Sequence, residues 1–376
     1  MRKAGSYTSP TSWTASLRGE DATRALVLCL ARWNPGPDRT RMAEGIARSG
    51  RVAWEKFFEI VVAHAVIPIV NRNLEEIRDV VPAQVSLRLK ALQMLISAKG
   101  EALWEKERHL LGTLADAGIT AKSFKGPGLA VRLFGHPGLR MPGDLDILVN
   151  DDDICAAEVV LRELGCIPLV KDHAFHKTYI WNSHSGPGIV VELHKRVAHP
   201  YLGVGDREII RYFLASEGLN IWELLLLMLH MARHRTLRLK WLCDIDAYLS
   251  KMIPAYGSYS ALRSEIIKTA RHYRMQRLVE VCLELYQAVY GEVSLRSLIS
   301  FPPAKFRKIW FVPLWSSGWW AKASPYFGKY TLIDGRLRVA YHSLRYPPYL
   351  SIWWERRRNL ALSSSRGRIK KGYALD

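Results

Sequence analysis

The chain has no apolar run approaching the roughly 18 residues that a membrane-crossing helix needs. The most leucine-rich run, residues 224–229 (Leu-Leu-Leu-Leu-Met-Leu), is closed by His230 and Arg233. Cysteine is scarce: Cys29, Cys155, Cys166, Cys243 and Cys282 are scattered, odd in number, and form no C-x-x-C pair. That argues against a disulfide framework and a cysteine-built structural zinc, and it fits a reducing compartment. The first 20 residues are Ser- and Thr-rich and lack the apolar core of a secretory leader, so they read as a disordered N-terminus. A cytoplasmic protein is expected. Acids are also few, 35 against 54 lysines and arginines, for a net charge of +19.

That surplus is uneven. Residues 301–376 carry 15 lysines and arginines against three acids, and six of the 13 tryptophans. Basic residues interleaved with aromatics suit phosphate-rich surfaces, so an anionic membrane surface or nucleic acid is an expected partner of this region. Trp353 and Trp354, followed by Glu355 and three arginines, resemble an interfacial membrane anchor more than a base-stacking platform. The plainer reading is a solvated tail with a few core tryptophans and neither partner; between the two partners, peripheral membrane contact is favoured.

Texture divides the remainder. Residues 21–118 repeat apolar positions at helical spacing, most clearly over 52–74 and 85–117, and Gly118 closes the run. Residues 119–199 form a compact α/β unit. Strands are expected at 119–124, 144–149 and 166–170, with short helices at 127–134 and 154–164. A hairpin pairs 178–181 with 189–194. Residues 200–300 are helical again, with helices expected at 219–233, 239–251, 258–273 and 275–290. The fold class is thus α/β (α+β): a small mixed-sheet core flanked by helical regions. The basic, tryptophan-rich region from 301 completes the chain.

Chemistry concentrates in the α/β unit. Residues 140–149 read Arg-Met-Pro-Gly-Asp-Leu-Asp-Ile-Leu-Val. Asp144 and Asp146, two apart on an expected strand, share a face, and Leu145 and Ile147 take the other into a core. Two close carboxylates repel unless a cation sits between them. A divalent ion held against substrate phosphates supplies one. Glu192, interrupting the apolar strand Ile189-Val-Val-Glu-Leu-His194, offers a third carboxylate, with His194 on its face. The plainer alternative is that Arg140, Lys125 or Lys195 neutralises these acids. The turn Lys125-Gly126-Pro127-Gly128 opens a helix whose free N–H groups suit a phosphate chain.

These residues resemble an uncharacterised bacterial nucleotidyltransferase-like family within the DNA polymerase β-type nucleotidyltransferase superfamily. The similarity rests on Lys125-Gly126, on Arg140 to Val149, on Glu192-Leu193-His194, and on His230-x-x-x-His234 followed by residues 239–245. It covers about residues 50–250. The resemblance implies that Asp144, Asp146 and Glu192 are catalytic and hold Mg²⁺ (or Mn²⁺) against an NTP. Lys125, Gly126, Ser123 and Arg140 would contact the nucleotide, Arg140 alternatively bracing the strand. It further implies transfer of a nucleotidyl group to a hydroxyl of an unidentified small-molecule, sugar or peptide acceptor. Lys-Gly stands where the superfamily usually has Gly-Ser, which removes a phosphate-touching serine unless Ser123 or Lys125 substitutes. Glu192 stands where Asp is commoner.

His230 and His234 lie four apart on an expected helix but lack the glutamate of H-E-x-x-H, so they read as lining a domain interface or, together with His194, a substrate pocket. Asp244 reads as a buried partner for a histidine or arginine of the neighbouring helix, and Asp151, Asp152 and Asp153 as a helix cap. Two other functions compete. An Asp-x-Asp glycosyltransferase would need a larger doubly wound domain upstream. A catalytically inactive scaffold would bind a polyanion or membrane through its basic region.

Overall fold

The computed structural model describes residues 19–169, 175–183, 186–198, 204–233 and 238–291. Five α-helices come first: α1 (Gly19–Leu30), α2 (Gly36–Arg48), α3 (Trp54–Ala63), α4 (Ile67–Leu74) and α5 (Ala83–Asp116). The helical apolar spacing over 52–74 is carried by two helices, α3 and α4. Pro68 in the first turn of α4 cannot continue a preceding helix, and Ala65 turns the chain at φ 56°. Helix α5, at 34 residues, is about 50 Å long. It serves two cores: Val85, Leu89 and Ile96 enter the larger helical core, whereas Leu103, Leu110 and Leu114 enter the core beneath the sheet.

Strand β1 (Ala121–Ser123) then leads into α6 (Gly126–Phe134). Next come β2 (Leu145–Val149), α7 (Ile154–Glu163), β3 (Cys166–Pro168), β4 (His176–Ser183) and β5 (Gly186–His194). The five strands form one mixed sheet in the order β1-β2-β5-β4-β3. β2 and β5 run parallel, and every other neighbouring pair is antiparallel.

Alternation along the strands gives the sheet two different faces. Leu145, Ile147, Val149, Tyr179, Trp181, Val191 and Leu193 pack with α5 and with Ala157 and Leu161 of α7 into a dry core. Asp146, Glu192 and His194 lie on the other face. The apolar face fixes the register, because a one-residue slip would bury the acids and expose the aliphatics. Asp144 itself precedes β2 rather than lying in it.

Helices α8 (Asp206–Ala215), α9 (Ile221–Arg233), α10 (Leu239–Tyr256), α11 (Tyr259–His272) and α12 (Gln276–Tyr290) complete the described chain. Their apolar faces join those of α1–α4 in the larger core. Ser258 caps α11 through its side chain, and Gly257, at φ 74°, ends α10. The expected aspartate cap at α7 takes another form. Asp151–Asp153 is a 3₁₀ turn with no side-chain cap bond, and Asp151 instead pairs with Arg207 and with Lys195. No helix among the described residues is long and apolar enough to cross a membrane. Of the expected disordered N-terminus, 1–20, residues 1–18 lie outside the described residues, as does the basic region 301–376, whereas Gly19 and Glu20 open α1.

Candidate functional site

Parallel pairing of β2 with β5 sets Asp146 directly opposite Glu192. Asp144, one residue before the strand, joins them: one carboxylate oxygen from each of Asp144, Asp146 and Glu192 lies within 4.8 Å of the others. Asp146 is buried, whereas Asp144 and Glu192 are half-buried and open the cluster on one side. An all-oxygen donor set at this spacing fits a hard divalent cation such as Mg²⁺.

Three carboxylates at this spacing would repel strongly without compensation. Lys125 supplies some of it. It occupies the cap position of α6 in an extended conformation, and its Nζ lies 2.5 Å from Asp146 Oδ1. His194 Nε2 lies 3.1 Å from that same oxygen and 3.1 Å from Glu192 Oε2. Burial alone would raise Asp146, but Lys125 and His194 outweigh it and hold the carboxyl below the usual range. For Glu192, burial is likewise outweighed, here by the hydrogen bond with His194, and its pKa is lowered. Asp144 shifts the other way. Burial and the Asp146 charge raise it, with Lys125 opposing.

Beneath the Lys-Gly turn lies a residue that the motif did not flag. Glu107 of α5 is fully buried, and its carboxylate fits against the turn. A Cβ on Gly128 would sit 2.2 Å from Glu107 Oε1 and from Ser123 Oγ, and one on Gly126 would sit 3.2 Å from Glu107 Oε2. Gly126 also has φ +68°, which disfavours any side chain. These glycines therefore answer first to a carboxylate inside the protein. Burial pushes Glu107 up to about 7, opposed by Ser123, the Gly128 backbone and Arg132. The sequence did carry a signal, since Glu107 interrupts the buried stripe Leu103, Leu110 and Leu114.

The other expected site residues are placed as follows. Ser123 pairs with Ile147 on the core side of the sheet, and its hydroxyl is turned toward Glu107 and the Lys125 carbonyl. It does not face the acid cluster. Arg140 makes a bidentate pair with Asp244, at 2.9 and 3.0 Å, both residues being buried. It therefore braces the loop before β2 against α10. On the same helix, Lys240 donates to the Met141 carbonyl at 2.7 Å and so holds that loop at a second point. Burial, with the Arg140 charge adding to it, lowers Lys240 to about 7. His230 is buried and packs edge-on against Phe124 and Trp241, with centroids 6.0 and 5.7 Å apart. Phe124 in turn meets His194 edge-on at 5.6 Å, so His230 is one ring removed from the acids. His234 lies outside the described residues. His176, which the motif pattern did not single out, pairs with His194 across β4 and β5.

A mixed sheet with acids gathered on two adjacent parallel strands, beside a Lys-Gly turn that opens a helix, defines a nucleotidyltransferase-like class of site. The family model described as an uncharacterised nucleotidyltransferase matches residues 50–291, and the chain belongs to that family. The match spans the whole acid cluster and the helices from α3 to α12. No curated protein and no solved structure matches the chain. The helical region upstream of the acids leaves no doubly wound parallel domain among the described residues, so the glycosyltransferase alternative finds no support.

Proposed function

We propose that this protein transfers a nucleotidyl group from an NTP to a hydroxyl of an acceptor, in a reaction that depends on Mg²⁺ (or Mn²⁺). The acceptor oxygen forms a new bond to the α-phosphorus, the α–β phosphoanhydride bond breaks, and pyrophosphate leaves. The observation that carries the reading is the convergence of Asp144, Asp146 and Glu192 within 4.8 Å in a member of this family. Mg²⁺ bound there would supply charge stabilisation for the entering and leaving oxygens.

The chain's own groups have distinct tasks. Asp144, Asp146 and Glu192 present the oxygen ligands. The lowered pKa of Glu192 makes it a weak base, which favours the ligand role over proton abstraction. Lys125 neutralises the phosphate tail, and N–H groups at the start of α6 orient it. Arg140 and Lys240 hold the loop that carries Asp144, which places Arg140 in support of the ligands rather than on phosphate. The acceptor class is a small molecule, a sugar or a peptide. Contact of residues 301–376 with an anionic surface rests on their composition alone.

NTP binding measured calorimetrically, with and without Mg²⁺, tests the proposal before the acceptor is known. Wild type is expected to bind with metal dependence, and Asp144→Ala/Asp146→Ala to lose it. A folded wild type that binds no NTP under any metal condition would overturn the reading and favour the polyanion-binding scaffold.

A further inference from the structure

Beside the three carboxylates lies a second group with different donor chemistry. One ligand atom each from His176, Glu192 and His194 falls within 4.8 Å of the other two. The register explains why: His176 is the cross-strand partner of His194, and Glu192 precedes His194 by two on the same face. The two imidazole rings are 4.8 Å apart. His194 Nε2 stands 3.1 Å from Glu192 Oε2, and His176 Nε2 stands 3.6 Å from Glu192 Oε1. Ligand atoms about 2.0–2.1 Å from a tetrahedral zinc are separated by about 3.4 Å, and the two histidine–glutamate spacings, one to each oxygen of Glu192, lie on either side of that value.

The orientation of His194 sharpens the case. Its Nδ1 lies 3.2 Å from the Arg196 carbonyl oxygen. A carbonyl only accepts, so Nδ1 carries the proton and donates it. The other nitrogen, Nε2, then faces two carboxylate oxygens, Asp146 Oδ1 and Glu192 Oε2. Two acceptors converging on one ring nitrogen mark a place for positive charge, a proton in the hydrogen bonds with His194 or a metal ion in its place. A metal-binding histidine characteristically donates its remote N–H to a backbone carbonyl or carboxylate, which orients the ring and selects the tautomer. His194 has that arrangement, and His176 brings a second imidazole to the same place.

We propose that His176, Glu192 and His194, with Asp146 at its margin, form a second cation site that takes a borderline-soft divalent ion such as Zn²⁺ or Co²⁺. Imidazole ligands favour these ions over Mg²⁺, which prefers oxygen. Glu192 belongs to both clusters, so an ion held by the histidines withdraws that carboxylate from the oxygen-lined site. The proposal rests on the reading of that neighbouring site only through this shared residue.

Co²⁺ is the probe, added alone to the metal-stripped full chain, with its visible absorption spectrum as the readout. One equivalent is expected to give the intense bands of a four- or five-coordinate site with nitrogen ligands, and Zn²⁺ is expected to displace it. His176→Ala and His194→Ala are each expected to weaken binding at least about tenfold. Asp144→Ala should leave the spectrum in place, because Asp144 belongs only to the oxygen cluster. His194 is fully buried, so His176→Ala, with fold checked by circular dichroism, is the deciding variant. A weak octahedral spectrum, a His176→Ala protein that binds as wild type does, or binding lost in Asp144→Ala would each overturn the proposal. Failure of Mg²⁺-dependent NTP binding would show in calorimetry and leave the Co²⁺ result standing, so the two readings fail separately.

Discussion

Substituting Glu107 by Gln tests whether a buried carboxylate under the Lys-Gly turn makes folding pH-dependent. The side chain is fully buried on α5, and its pKa is raised from 4.5 to about 7, chiefly by burial. In the unfolded chain this carboxyl loses its proton near the ordinary value; in the folded protein it keeps it to about 7. Below the unfolded value both states are protonated, and the full stability is present. Between the two values the folded state binds the extra proton, so stability falls as pH rises. Above about 7 both states are ionised and the penalty is constant. Each pH unit in the window is worth about 1.4 kcal/mol, so the total is about 3 kcal/mol. Glu107→Gln keeps the shape and removes the titration. Urea unfolding followed by tryptophan fluorescence, at about pH 5 and about pH 8, reads the difference directly. Relative to wild type, the variant should gain up to about 3 kcal/mol between the two conditions. Parallel pH dependence in both proteins would refute the reasoning.

Two further predictions concern the supports of the site. Gly128→Ala places a Cβ 2.2 Å from Glu107 Oε1 and Ser123 Oγ, and should destabilise by about 1–3 kcal/mol in the same unfolding assay. Part of that loss should return when Glu107→Ala is added, since the clash is with its carboxylate. Asp244→Ala strands the Arg140 guanidinium in a buried position and should cost about 3–5 kcal/mol, read as a lowered urea midpoint.

The architecture was legible where sequence period maps directly onto structure. The acidic strand, the hairpin and the helices from 221 onward follow from alternation or helical spacing. The break at Ala65 and Pro68 was hidden because the apolar spacing runs through it, although a proline in that position announces a helix start. Asp144 and Asp146 were identifiable because two acids headed an aliphatic run, and Asp244 because it interrupted an apolar helix. Glu107 was harder. Its partner lies across the fold, in a turn about 20 residues away, and only the buried neighbours on α5 betray it. His176 was hidden for a different reason. A single histidine at the start of a strand says nothing until the register of β4 against β5 sets it opposite His194.

Lys125 links these observations. Its Nζ lies 2.5 Å from Asp146 Oδ1, so it occupies ground that a cation ligated by that oxygen needs. Lysine and metal are therefore alternatives at Asp146 rather than additive partners. When a divalent ion takes the carboxylate, the displaced ammonium is left buried beside a new positive charge, which is costly in a low-dielectric site. The phosphate tail of an incoming NTP would relieve that cost, because Lys125 stands at the cap of α6, a helix N-terminus that favours an anion. Metal and nucleotide should thus favour each other's binding through one side chain. This gives a physical reason for a lysine in this turn. The hydroxyl available nearby, Ser123, is already turned toward Glu107.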